Sequence, residues 1–240
     1  MPSVLSEAHA SLAHLTFMEC DWSGAESEFK RAIELNPNYP VAHNWYAVFL
    51  RTLGRFDEAI AETRKAQKLD PLSLSVNTQM GSLLYVSRRF DEAILQLLQV
   101  VELDPNYPTS HFYLGLAYEA KGMYDEAIRE YDQAIVLGGA DPELTARVAA
   151  VYALSGRRPE ARMMLDELKE LSRCRHVSHY DIATVHTALG DKEQALASLE
   201  KSYEKLETVF ALNVDPTLDS LRGEPRFERL LRRLGLPPGK

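Results

Sequence analysis

Residues 108–137 read PTSHFYLGLAYEAKGMYDEAIREYDQAIVL, and this stretch decides the fold. Apolar residues recur every three or four positions on both sides of Gly122, the pattern of two amphipathic helices joined by a tight turn. The same arrangement returns at a spacing of thirty-four residues, most visibly at Asn36-Pro37, Asp70-Pro71 and Asp104-Pro105. With residue 6 as position 1, units begin at 6, 40, 74, 108, 142 and 176. Position 20 is then alanine in every unit, at Ala25, Ala59, Ala93, Ala127, Ala161 and Ala195. Position 8 is always small: Ala13, Ala47, Gly81, Gly115, Ala149 and Ala183. Position 15 is Gly54, Gly122, Gly156 and Gly190, with Cys20 and Arg88 in units 1 and 3.

Each unit therefore reads as two antiparallel helices. The first, over about positions 2 to 14, ends at the glycine, which takes a left-handed cap without a Cβ penalty. Ser23, Asp57, Asp91 and Asp125 at position 18 are expected to cap the second helix. Proline closes it, because the residue before proline is pushed out of the helical region. Small residues at positions 8 and 20 let the two helices approach closely, beside the aromatic Trp22, Phe56, Phe90 and Tyr124 at position 17. A unit of this size cannot bury its own apolar face, so stability must come from stacking on neighbours.

The pattern resembles the tetratricopeptide repeat family, most closely in unit 4 through Leu114, Gly115, Tyr118, Gly122, Tyr124, Ala127, Tyr131 and Ala134. The resemblance covers about residues 6–207, although units 5 and 6 have Arg173 and Glu207 in place of the closing proline. It implies an all-α fold, a right-handed superhelical solenoid forming a single domain over 1–240, with a C-terminal cap at about 208–237. The cap would use Phe227, Leu230, Leu231 and Leu234, which recur at helical spacing between Arg226, Arg229, Arg232 and Arg233. The tail from Asp215-Pro216 through Leu236-Pro237 is also similar to the ends of bacterial winged-helix regulators, adenylate cyclases and Ser/Thr kinases with such repeats.

Composition narrows the function. The 240 residues carry a net charge of -8, which argues against a general nucleic-acid or anionic-membrane surface. No run reaches the ~18–20 apolar residues of a bilayer span. The first twenty residues do not read as a signal peptide. Two distant cysteines, Cys20 and Cys174, make no disulfide framework and suit a cytoplasmic chain. His9, His43, His111 and His179 all occupy position 4, a repeat or more apart, and are read as packing residues. Cys174, His176 and His179 lack the ligand set of a zinc site, so no metal and no cofactor is expected. Phosphate-cradling, zinc-protease and serine-hydrolase motifs are lacking too, and the chain is not expected to be an enzyme.

The resemblance implies instead that positions 2, 5, 9 and 12 line a concave groove that binds a protein or peptide segment. The partner-binding residues are expected among His14, Phe17, Asn44, Arg51, Thr78, Tyr85, Phe112, Glu119, Ala146, Ala150, Tyr180 and Thr184. No Lys or Arg occupies positions 5 or 9, which disfavours a carboxylate clamp for chaperone tails. Aromatics among small polar groups suit a segment with a few apolar anchors. A sensory module of a regulator, answering to a peptide or small ligand, is the alternative. Self-association through exposed repeat ends is a further mode left open.

Overall fold

A computed structural model describes residues 2–205, 207 and 211–237. All regular structure among them is helical. Six pairs follow one another: α1 (Pro2–Met18) with α2 (Trp22–Leu35), α3 (Pro40–Thr52) with α4 (Phe56–Leu69), and α5 (Leu74–Val86) with α6 (Phe90–Leu103). Then come α7 (Pro108–Ala120) with α8 (Tyr124–Gly138), α9 (Pro142–Leu154) with α10 (Arg158–Leu171), and α11 (His179–Ala188) with α12 (Lys192–Glu204). A 3-10 turn, Pro216–Leu221, and a short helix α13, Pro225–Arg233, complete the chain. The result is an all-α solenoid with a C-terminal cap.

Four first helices begin at 40, 74, 108 and 142, where the period places them. Unit 6 starts late, at His179, because Ser178 accepts the hydrogen bond from Tyr180 N and sets the helix start there. The turns at position 15 are left-handed in all six units, with φ of 70° at Gly54, 72° at Gly122, 88° at Gly156 and 75° at Gly190. Cys20 (φ 61°) and Arg88 (φ 63°) take the same conformation, at a cost of about 1–2 kcal/mol each relative to glycine.

Close approach explains the small residues. All six position-20 alanines are fully buried. A Cβ on Gly115 would lie 2.5 Å from the ring of Tyr131, a fully buried side chain that crosses it. The core runs along the stack through Phe29, Phe49, Leu83, Leu114 and Tyr131.

Two sequence expectations need correction. Asp57, Asp91 and Asp125 are not caps: the cap positions are Arg55, Arg89 and Met123, without a side-chain bond, and the acids lie in the first helical turn. There their charge still meets the helix dipole favourably. In unit 1 the cap is Asp21, which accepts from Gly24 N. The position-4 histidines do more than pack. His43 Nδ1 lies 2.6 Å from Glu62 and Nε2 2.9 Å from the Pro37 carbonyl, and His111 repeats this with Glu130 (2.7 Å) and Pro105 (3.0 Å). His9 pairs with Glu28 at 2.5 Å. In unit 3 Asn77 replaces the histidine and donates to the Pro71 carbonyl. In units 2 to 4 the residue at position 4 thus ties the first helix to the preceding loop, which requires a hydrogen-bonding side chain in a buried place.

Candidate functional site

Side chains from positions 2, 5, 9 and 12 of several units, among them Arg51, Ser82, Tyr85, Phe112, Glu143 and Tyr180, share one face, and the chain's own tail lies along it. Leu212, Val214, Leu218 and Leu221 are buried there, with Val214 packed into the main core and the three leucines into the core of the last unit. One carboxylate anchors the segment. Tyr180 Oη donates to Asp215 Oδ2 at 2.5 Å, Tyr85 Oη donates to Oδ1 at 3.4 Å, and Arg147 reaches Oδ2 at 3.7 Å. Thr217 N also donates to Oδ1, at 2.9 Å.

Further contacts spread the tail over most units. Asn213 donates to the Thr52 carbonyl at 3.0 Å in unit 2. Arg88 in unit 3 donates to the Val214 carbonyl and to Asp219, both at 2.6 Å. Its left-handed backbone is thereby explained: a glycine would relax the turn but could not hold the tail. Arg222 folds back on the Asn213 carbonyl at 2.8 Å. Farther on, Phe227, Leu230, Leu231 and Leu234 pack with Tyr180, Ala183, Leu196 and Leu199 of unit 6. Trp22 of the first unit joins that cluster and donates from Nε1 to the Leu234 carbonyl at 3.2 Å. The tail therefore connects the last unit to the first.

The anchor is a buried charge cluster. Burial opposes the charge of Arg147, but Asp215 and Glu119 outweigh it and hold the guanidinium above its ordinary range. Burial, then the same two acids, push Tyr85 well up, and burial with Glu119 does the same to Tyr131. Tyr180 follows through burial and Asp215. Burial also raises Glu119, against the pull of Arg147 and the hydrogen bond from Tyr131 at 2.7 Å. A cluster so interlocked rigidifies its surroundings when every member is satisfied.

The tail divides the face into two cavities. One, of about 320 Å³, is bounded by Arg51, Tyr85, Phe112, Tyr180, Glu143, Arg147 and Asp181. The other, of about 380 Å³, is bounded by Tyr85, Arg88, Glu119, Ala150, Thr184 and the tail residues Pro216 to Ser220. Of the expected partner-binding residues, Phe17, Thr78, Tyr85, Glu119, Ala146, Ala150, Tyr180 and Thr184 are buried. Asn44, Arg51 and Phe112 remain half-buried, and His14 is exposed. His14 lies against Trp45, ring centroids 5.1 Å apart, while Phe17 meets Phe49 edge-on. Ala146 belongs to the core between α9 and α11. Sequence reasoning missed Arg88, Arg147, Asp181 and Asp215. Only Arg88 carried a signal, as an arginine where the repeat demands glycine.

Among the described residues no group of three His, Cys, Asp or Glu is placed to hold a metal ion. His179 Nδ1 instead lies 2.8 Å from Glu207.

Comparison with known proteins agrees with this architecture. Tetratricopeptide repeat models match residues 28–61, 78–144 and 177–204. The chain is thus built of tetratricopeptide repeats, a class of proteins that typically act as interaction scaffolds rather than enzymes. Small glutamine-rich tetratricopeptide repeat-containing protein 2 of Mycosarcoma maydis is 34% identical over 67 residues, 28% of this chain and 19% of that protein. The match thus spans about a fifth of that relative's length. Among solved structures, pilF of Pseudomonas aeruginosa superposes with a TM-score of 0.63 at 18% identity, over 97% of this chain and 99% of that one. A tetratricopeptide protein of Thermus thermophilus gives 0.61 at 21% identity, over 84% and 98%. A MamA fragment from Desulfovibrio magneticus gives 0.58 at 18%, over 71% and 96%. At these identities the likeness is one of fold. It does not show the expected resemblance of the tail to bacterial regulators, cyclases and kinases.

Proposed function

We propose that this chain is a scaffold that holds an extended partner segment on its concave face, in the strip left open beside its own tail. The supporting observation is how that tail is held: a stretch of turn and 3-10 helix with apolar anchors and two carboxylates, Asp215 and Asp219, gripped by groups from several units. A partner segment would use the same vocabulary. Asn44, Arg51 and Phe112 would touch it directly, with His14 at the first-unit end.

Displacing the tail outright is the costlier route. Four buried aliphatic side chains at ~1.5–3 kcal/mol each would have to be exposed or replaced, on a segment tethered to the groove. A segment lying alongside avoids that cost, and the two flanking cavities offer room for its side chains. A reducing compartment such as the cytoplasm suits the two free cysteines, and no described helix is long and apolar enough to cross a membrane.

The test is capture of partners from source-cell lysate by the chain and by an Arg51→Ala/Phe112→Ala variant of equal helicity and melting temperature. Partners lost only in the variant support the reading. Recovery of the same partners by both would refute it.

A further inference from the structure

The 320 Å³ cavity holds more negative charge than its walls neutralise. Its lining includes the carboxylates of Glu143, Asp181 and Asp215 and the guanidiniums of Arg51 and Arg147. Arg147 is already engaged: Asp215 lies 3.7 Å away, and Glu119, outside this cavity, is the second acid that stabilises its charge. Arg51 donates to the Ser82 hydroxyl at 2.7 Å. Within the cavity three carboxylates thus face two guanidiniums, one of which is shared with Glu119 outside it. The carboxylates of Asp181 and Glu143 accept no hydrogen bond and form no ion pair among the described residues, although Asp181 is only 8% exposed. The Asp181 oxygens open into the cavity, where a counter-charge would lower the cost of holding the carboxylate there. Burial, then the charge of Glu143, push Asp181 up to about 7. Glu143 is raised as well, by burial and by Asp141 against the pull of Arg147, although its side chain reaches solvent at the cavity's edge.

Four aromatic side chains, Tyr85, Phe112, Tyr113 and Tyr180, share the rest of the wall with small and aliphatic groups. Phe112 and Tyr113 meet edge to face, ring centroids 5.3 Å apart, and Tyr180 closes the floor beside Asp181. Aromatic faces attract cations and cover apolar stems. A volume near 300 Å³ is at the small end of ligand sites. An anion would meet the two free carboxylates, and a neutral group would leave Asp181 without a counter-charge.

We propose that this cavity binds an ammonium or guanidinium head on an apolar stem, with Asp181 and Glu143 as its counter-charges and Phe112 and Tyr113 along the stem. Two sources share that chemistry: a lysine or arginine side chain of the partner segment, or a free alkylamine or alkylguanidine. The first source rests on the scaffold reading above; the second does not.

Calorimetric titration of the intact chain at pH 7.5 tests this with capped tripeptides Ala-Xaa-Ala, where Xaa is Arg, Gln or Glu, and with agmatine. The arginine peptide is expected to bind at least tenfold more tightly than the glutamine peptide, with the glutamate peptide weakest. Asp181→Asn and Glu143→Gln are each expected to weaken it by about tenfold, with helicity unchanged. Glu143, at the edge, keeps the test valid should the buried variant fold poorly. Agmatine binding as tightly as the arginine peptide assigns the site to a free cation; tighter peptide binding assigns it to a side chain. Equal binding of the arginine and glutamine peptides overturns the proposal. So does a lack of binding by both cationic probes at millimolar concentration, or indifference to both substitutions. If lysate partners still depend on Arg51 and Phe112 while the cationic probes fail, the cation site falls and the scaffold reading stands. If the probes bind while no partner depends on the groove, the reverse holds.

Discussion

Leu15 and Leu83 occupy the same position of the repeat, the tenth, in the first and third units. Leu15 is 62% exposed and Leu83 fully buried. The seventh position repeats the contrast: Leu12 is 49% exposed, whereas Tyr46, Met80, Leu114 and Val148 are buried. The side chains are alike; the surroundings differ. In units 2 to 5 the second helix of the preceding unit covers these positions, and among the described residues α1 has no such neighbour. At the other end of the stack the cover is supplied by α13 and the tail. The two ends therefore show that burial here belongs to the junction between units rather than to the unit itself, as a quasi-one-dimensional array requires.

Matched substitutions can break this comparison. Leu83→Ala is expected to cost about 2–5 kcal/mol in denaturant unfolding, and Leu15→Ala no more than about 0.5 kcal/mol. Similar costs at the two positions would mean that α1 is covered in solution. The tail can be placed on the same scale. If it serves unit 6 as a neighbour, Leu218→Ala, fully buried, should fall in the range of Leu83→Ala, about 2–5 kcal/mol.

A smaller effect concerns Asp181. Its folded-state pKa of about 7 lies above the ordinary carboxylate value, so the folded chain binds the proton more tightly than the unfolded one. Stability from this group is present at low pH and is lost as pH rises toward 7. Asp181→Asn should therefore gain on the parent chain between about pH 4 and 8, by on the order of 2 kcal/mol at the top, with little difference below pH 4. Thermal melts across that range would show it. Smallest is Arg88→Gly: relief of the left-handed turn, about 1–2 kcal/mol, is set against two lost hydrogen bonds to the tail. Global stability should move by about 1 kcal/mol or less, while proteolysis within residues 211–222 becomes faster.

Much of the solenoid was legible in the sequence because its determinants are local and periodic. Glycine at the turn and alanine at the crossing report their roles directly, and four helix starts fell where the period put them. Unit 6 lacked the closing proline of the unit before it, and its start shifted by three residues. The histidines were harder to read, since a residue in an aromatic's place gives no hint of a Glu nineteen positions on. The tail's course over the concave face was illegible. Asp215 meets Tyr85 across 130 residues and Arg147 across 68, and neither pairing leaves a spacing to read. Helical geometry groups the expected groove residues by repeat position, but which of them reach solvent depends on that non-periodic segment.

Amide hydrogen exchange of residues 211–222 in the intact chain tests the central claim, that the tail is an integral filling of the groove. The account predicts exchange slowed at least about a hundredfold relative to free peptide, with protection lost together with that of α11 as denaturant is added. Exchange at the free-peptide rate while α11 stays protected would contradict it and leave the whole concave face open.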